Sequence, residues 1–167
     1  MLSFVTLLRS NGYSQYHIDR APEGVDGKEA VMSAVVAVMA RVNSIFLREI
    51  GVYFELITNN DNLFCIDGVH GACKTQNANI FGKMENFFTI NGITKDDYDI
   101  GHAFLSDIDA GRACLNSLCA DKTKYKGFTG LIDPIDDIFA VDYVSHELGH
   151  QLGARHTMRD CGGIGRN

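Results

Sequence analysis

The chain has few of the features that divide a protein into separate parts. Its 167 residues include only two prolines, Pro22 and Pro134, and neither an internal repeat nor a low-complexity stretch. Stiff linkers are usually rich in proline, so none is expected. Hydrophobic residues make up 46% of the chain and charged residues 22%, which are ordinary globular proportions and argue against disorder. We therefore expect a single domain over residues 1–167.

An excess of basic residues and long apolar runs are also lacking. The 15 Lys and Arg stand against 21 Asp and Glu, and the net charge is -6, so nucleic acid is a poor candidate partner. No unbroken apolar run approaches the roughly 18 residues that a membrane-spanning helix needs. The apolar start, Leu2 to Leu8, lacks the basic residues and the small-residue cleavage site of a signal peptide. We interpret it as a buried strand, so that any export signal lies upstream of Met1 or does not exist.

Hydrophobic periodicity predicts an α/β arrangement in the first part of the chain. A long helix follows the first strand, because apolar residues recur there at steps of three and four. The members of this stripe are Val31, Val35, Val38, Val42 and Ile45. Gly51 ends the helix, and the alternation from Val52 to Ile57 predicts a second strand. A strand, a helix and a strand in this order form a βαβ unit with parallel strands.

The same reasoning extends to the rest of the chain, although the pattern is weaker there. Helical spacing of Ile80, Phe81, Met84, Phe87 and Phe88 predicts a second helix. A third strand is predicted from Tyr98 to Leu105, and a short edge strand from Arg112 to Cys119. Acidic residues before Phe139 suit the start of a last helix, which runs to about Leu152.

That last helix contains the motif that carries the chemistry. His146 and His150 are four residues apart, so they project from one face of a helix, and two imidazoles so placed reach one zinc ion. Gly153 allows a sharp turn in the left-handed conformation, which brings His156 back as a third ligand. Three protein ligands leave one coordination position open, as in catalytic zinc sites. Glu147 lies about 100° round the helix from His146, where it reaches a water molecule and acts as general base.

The pattern HExxHxxGxxH is typical of metzincin metallopeptidases. The segment from Ala140 to Thr157 resembles the active-site helix of the adamalysin/reprolysin branch, and is most similar to its secreted bacterial members. Shorter stretches agree with that branch: residues 12–17 (GYSQYH), 98–102 (YDIGH) and 126–134. The resemblance implies a metzincin-like fold, in which a mixed, twisted sheet has an antiparallel edge strand and the active-site helix is one of a few helices.

The resemblance also implies a function. We expect a zinc-dependent endopeptidase that is secreted and monomeric. Its peptide substrate is expected to bind as an extended strand along the edge strand, from about Ala113 to Leu118. Asp99 is a candidate ligand of a structural calcium ion, although such a site needs six or more oxygen atoms.

One feature of metzincins, the Met-turn beneath the three histidines, is missing. Met158 is too close to His156 to serve, and the chain ends at Asn167. The chain is therefore either incomplete at its C-terminus or a naturally shortened relative. In the second case it is an inactive zinc-binding or peptide-binding module, but the presence of Glu147 favours hydrolysis.

The five cysteines leave their pairing open. Cys65 and Cys73 are close enough to close a local loop, and Cys119 and Cys161 are candidates to pair with each other or with cysteines beyond Asn167. Cys114 has no obvious partner, and disulfide connectivity does not follow from sequence alone.

The remaining polar residues have simpler interpretations. His102 is expected to be a hydrogen-bonded structural histidine, and His17 and His70 are expected to be solvated in loops. Asp142 is either solvated on the last helix or supports a zinc ligand.

Overall fold

Five strands form one mixed sheet in the computed structural model, which describes residues 1–8, 13–64, 80–106 and 108–156. The strands are β1 (Leu2–Leu8), β2 (Phe54–Leu56), β3 (Ile100–Leu105), β4 (Ala110–Ala113) and β5 (Gly127–Gly130). Their order across the sheet is β2-β1-β3-β5-β4. All neighbours are parallel except β4, which is antiparallel to β5. The predicted α/β fold, with an antiparallel edge strand on a mixed sheet, is confirmed.

Helix α2 (Gly27–Ile50), which follows the short helix α1 (Gln15–Ile18), covers one face of the sheet. The Asp26 side chain accepts hydrogen bonds from the amides of Lys28 and Glu29, and Gly51 ends the helix with a φ of 69°, as helix caps commonly do. Length and mean hydropathy alone would allow α2 to span a membrane. However, its predicted apolar stripe is buried against the sheet, as is typical of the core helix of a globular domain.

The side chain of Asn43 ties α2 to strand β2. Its Nδ2 donates to the carbonyl of Phe54 (2.9 Å) and its Oδ1 accepts from the amide of Phe54 (2.8 Å). Asn43 is buried, so both of its polar atoms need such partners. The hydrogen bonds set the position of β2 at one edge of the sheet.

The other face of the sheet is covered by α3 (Ile80–Ile90), as its spacing predicts. A second apolar cluster lies there: Leu63, Met84, Phe87, Phe88, Ile93, Tyr98, Ala103 and Tyr125. Alternate residues of β3 join opposite clusters, because Ile100 and Phe104 belong to the α2 side and Ala103 to the α3 side. The sheet is therefore enclosed between two helical layers.

The structure corrects the position of the edge strand. Strand β4 ends at Ala113, near the start of the range from Arg112 to Cys119 that the sequence predicts for the edge strand. Asn116 and Cys119 have positive φ angles of 53° and 56°, which are incompatible with a regular strand. The amides of Asn116, Ser117 and Leu118 instead bind the carbonyl oxygens of His150 and Gln151.

One further prediction is wrong, and several lie outside the described residues. His17 is not a solvated loop residue, because it belongs to α1 and its ring packs 4.5 Å from the ring of Tyr13. Cys119 has a free thiol, and its Sγ donates to Asp99 at 3.6 Å. Cys114 is also free. The predictions that fall outside the described residues concern Cys65, His70, Cys73, Met158 and Cys161, so the pairing of Cys119 with Cys161 or with cysteines beyond Asn167 stays a prediction.

Candidate metal centre

The residues of the HExxH motif lie on α4 (Ser145–Gln151), which continues directly from a π-helical segment, Ile138–Val144. Wide π-turns occur frequently at functional sites. Phe139, Ala140, Val144 and Leu148 are buried in the core on the α2 side of the sheet. The helix is thus anchored by its apolar face, which leaves His146 and His150 on the opposite, more exposed face.

Three imidazole rings converge at the end of α4. The Nε2 atoms of His146, His150 and His156 lie 2.9–3.0 Å from one another. Within the described residues, these three form the one group of three or more metal-ligating side chains whose ligand atoms lie close together. An arrangement in which three ring nitrogens face a common point is typical of a metal site.

The turn after α4 brings His156 to this point. Gly153 has a φ of 103°, a conformation that side chains other than glycine rarely adopt. The amide of Gly153 binds the carbonyl of His150 at 2.9 Å. Gly153 therefore has the positive φ that the sequence predicts for the turn after α4.

The protonation of the histidines suits metal binding. The Nδ1 of His150 lies 2.7 Å from the carbonyl oxygen of Ala154, so Nδ1 carries the hydrogen and the lone pair of Nε2 faces the other two rings. Burial, followed by the nearby His150 and His156, lowers the pKa of His146. Both effects favour neutral imidazole, the form that binds a metal ion.

A zinc ion fits this donor set. Its bonds to imidazole nitrogen are about 2.0–2.1 Å long, and the centre of a triangle with edges of 3.0 Å lies about 1.7 Å from each corner. His146, His150 and His156 would therefore all lie within bonding distance of one such ion. A zinc ion held by three protein ligands would have a coordination position open to water or substrate.

Glu147 lies beside the histidines but faces the sheet. Glu147 is 8% exposed, and α4 packs against β4 and β5 at this point. Burial raises the pKa of Glu147, and the charge of His150 lowers it in part. A carboxylate with a raised pKa is a stronger base. The side chain accordingly has the chemistry that proton transfer near the metal centre requires.

Comparison with known proteins identifies the family. The sequence model of the reprolysin-like metallo-peptidase family M12B matches residues 32–157, which is most of the chain. The chain belongs to this reprolysin-like family. A comparison with curated proteins gives no match. The predicted resemblance and the metzincin-like fold are confirmed, and membership of this family implies zinc. The likeness to secreted bacterial members and the missing Met-turn stay predictions.

Sequence reasoning missed one part of this reprolysin-like site, a buried polar network behind α4. The side chain of Gln151, the residue after His150, is fully buried. Its Oε1 lies 2.8 Å from Nδ1 of His102, and its Nε2 donates to the carbonyl oxygens of Gly101 (3.1 Å) and Lys124 (3.3 Å). These contacts hold the C-terminal end of α4 against the centre of the sheet.

His102 is the buried structural histidine that the sequence predicts. Its Nε2 lies 2.8 Å from Oγ1 of Thr129 on β5, and the ring is fully buried. Burial lowers the pKa of His102 to about 4, and the hydrogen bond to Gln151 opposes this shift. The sequence signal for the network was a glutamine at a position of the motif helix that faces the core.

The two aspartates singled out in the sequence have described surroundings of their own in the reprolysin-like domain. Asp142 is exposed and borders an open groove of about 310 Å³ between α2 and the π-helical segment. The Asp99 carboxylate accepts from the amide of Ser3 at 2.8 Å and from the thiol of Cys119. These contacts connect β1 to the turn that follows β4, and a calcium ion at Asp99 stays an untested prediction.

Proposed function

We propose that this reprolysin-like domain is a zinc-dependent endopeptidase, in which His146, His150 and His156 bind the metal and Glu147 is the general base. The observation that carries the proposal is the convergence of the three Nε2 atoms within 3.0 Å, next to a buried carboxylate. A structural zinc site is usually closed by a fourth protein ligand. Three ligands and an adjacent base favour catalysis.

Zinc, when bound, supplies a Lewis acid that polarises the scissile carbonyl and stabilises the negative charge developing on its oxygen. The chain's own residues supply the rest. The carbonyl of Ala154 holds the ring of His150 in the tautomer that binds metal. Glu147 accepts a proton from the attacking water as the C–O bond forms. It then returns that proton to the leaving amine as the C–N bond breaks.

The edge strand β4 is the proposed binding surface for the peptide. It is the last strand in the sheet order, so one of its edges has main-chain donors and acceptors without a strand partner among the described residues. An extended peptide can add to such an edge through main-chain hydrogen bonds. Because α4 packs against β4, a peptide bound there passes close to the histidines. The binding surface is thus centred on Ala110–Ala113, earlier in the chain than the sequence predicts.

The experiment that tests this proposal replaces Glu147 by its neutral isostere. Zinc-loaded parent and Glu147→Gln are compared on a quenched peptide library, with the zinc content of each measured in parallel. We expect kcat/KM to fall by about 10²–10⁴-fold, because general-base catalysis contributes that much, while zinc remains bound. A matched control is Glu55→Gln, on β2 at the opposite edge of the sheet.

Two results would contradict the proposal. Cleavage by Glu147→Gln at the parent rate would exclude this residue as the base. Binding of zinc and peptides by the parent, with no cleavage, would favour the inactive binding module instead.

A further inference from the structure

Gly111 lies on strand β4, at the point where the edge of the sheet meets the side chain of Glu147. A methyl group added at Gly111 would lie 2.7 Å from Cγ and 2.8 Å from Cδ of Glu147, and still closer to Oε1. Carbon atoms in proteins do not approach so closely. The space that a side chain at position 111 would occupy is therefore filled by Glu147.

The backbone at Gly111 does not itself require glycine. Positive φ angles occur at Gly24, Gly51, Gly92 and Gly153 among the described glycines, and Gly111 is not one of them. Glycine within a strand often marks the close approach of another group. Here the three nearest atoms all belong to the side chain of Glu147. A larger residue at position 111 would therefore change the position of the Glu147 carboxylate.

We infer that Gly111 is a positioning residue for the general base. This inference rests on the proposed function of Glu147 and deepens it. The missing side chain leaves a slot between β4 and α4 in which the carboxylate lies beside the histidines. Any larger residue at 111 displaces three consecutive atoms of Glu147, so the whole side chain has to leave its position. The strand proposed to hold the substrate thereby also sets the geometry of the base.

The test is Gly111→Ala in the zinc-loaded protein. We expect kcat to fall about 100-fold, because a misplacement of about 1 Å at a reacting group has an effect of that size. Zinc content and KM stay at the parent values, since the ligands and the main-chain edge of β4 are unchanged. The control is Gly149→Ala on α4, where an added methyl group has its nearest neighbour at 3.8 Å and kcat is expected to be retained.

A double-mutant comparison separates this role from a purely structural one. In a Glu147→Ala background the atoms that the new methyl group meets are absent. There, Gly111→Ala should neither lower the residual rate further nor weaken the binding of a substrate peptide. If Gly111→Ala alone does not fold, folding of the double variant supports the inference, because the clash with Glu147 is then the cause of the misfolding. A double variant that also does not fold overturns the inference.

A crystal structure of zinc-loaded Gly111→Ala decides the geometry even if the parent cleaves no peptide. A displaced Glu147 side chain supports the inference, and an unmoved one overturns it. An unchanged kcat, or a loss seen mainly as a raised KM, also overturns it, because the methyl group would then act on the substrate surface. If the proposed function is wrong but the inference holds, the parent cleaves no peptide and the Glu147 side chain is still displaced in Gly111→Ala.

Discussion

Replacing Gln151 by leucine tests whether the buried network behind α4 holds the metal centre in place. Leucine has a similar volume and no polar atoms, so it removes the hydrogen bonds without opening a large cavity. The Nδ1 of His102 then loses its partner inside a fully buried site. An unsatisfied buried polar group costs about 1–3 kcal/mol, so we expect the free energy of unfolding to fall by at least that amount.

Denaturant unfolding of the metal-free parent and of Gln151→Leu measures this difference. Gln15→Leu is a suitable control, because the hydrogen bond of Gln15 to Asp19 is exposed. Its effect is expected to stay within about 0.5 kcal/mol. We also expect weaker zinc binding by Gln151→Leu, since the end of α4 that bears His150 is no longer tied to the sheet. Equal stability of Gln151→Leu and the parent would show that the buried network does not hold α4 against the sheet.

Three further outcomes follow from the described contacts. Burial lowers the pKa of His102, and also that of His17, to about 4 from the usual 6.5. As the pH falls, these two histidines therefore become protonated in the unfolded chain before they do so in the folded chain. The free energy of unfolding of the metal-free protein should be constant above pH 6.5 and should decline towards pH 4, as measured by denaturant titration. A free energy of unfolding that does not change between pH 6.5 and pH 4 would contradict the lowered pKa values of His102 and His17. Asn43→Leu should lower the free energy of unfolding by about 2–6 kcal/mol, because two buried backbone groups of Phe54 each lose a partner. A loss below about 1 kcal/mol in denaturant unfolding would show that this contact is dispensable. Gly153→Ala forces a side chain into a positive φ, at a cost of about 1–2 kcal/mol. Calorimetry should also show weaker zinc binding by that variant, and an unchanged affinity would show that the turn tolerates the change.

Local patterns were sufficient to predict the helices α2, α3 and α4 and the metal-binding motif. The spacing of His146, His150 and Gly153 is a property of one helix and the turn after it, so it is visible without knowledge of the fold. The apolar stripe of α2 and the alternation from Val52 to Ile57, where β2 forms, are equally local. For these elements the residue pattern and the tertiary packing agree.

The features that were missed depend on contacts between distant segments. The local pattern around His17 predicts a loop, because the packing of its ring against Tyr13 is not visible in that pattern. The edge strand forms earlier in the chain than its local pattern predicts, because the amides of residues 116–118 bind the end of α4, a partner about 34 residues further along the chain. The hydrogen bond between Gln151 and His102 spans 49 residues, and no local pattern predicts such a pair.

The most direct test of the catalytic metal centre is the rate of peptide cleavage as zinc is added back to metal-free protein. We expect the rate to rise in proportion to zinc, to level off at about one equivalent per chain, and to be abolished by a chelator. His156→Ala, which removes one of three converging nitrogens, should bind zinc more weakly and show no such rise. Cleavage that is independent of zinc, or equally fast in His156→Ala, would contradict the assignment of the three histidines as the catalytic metal centre.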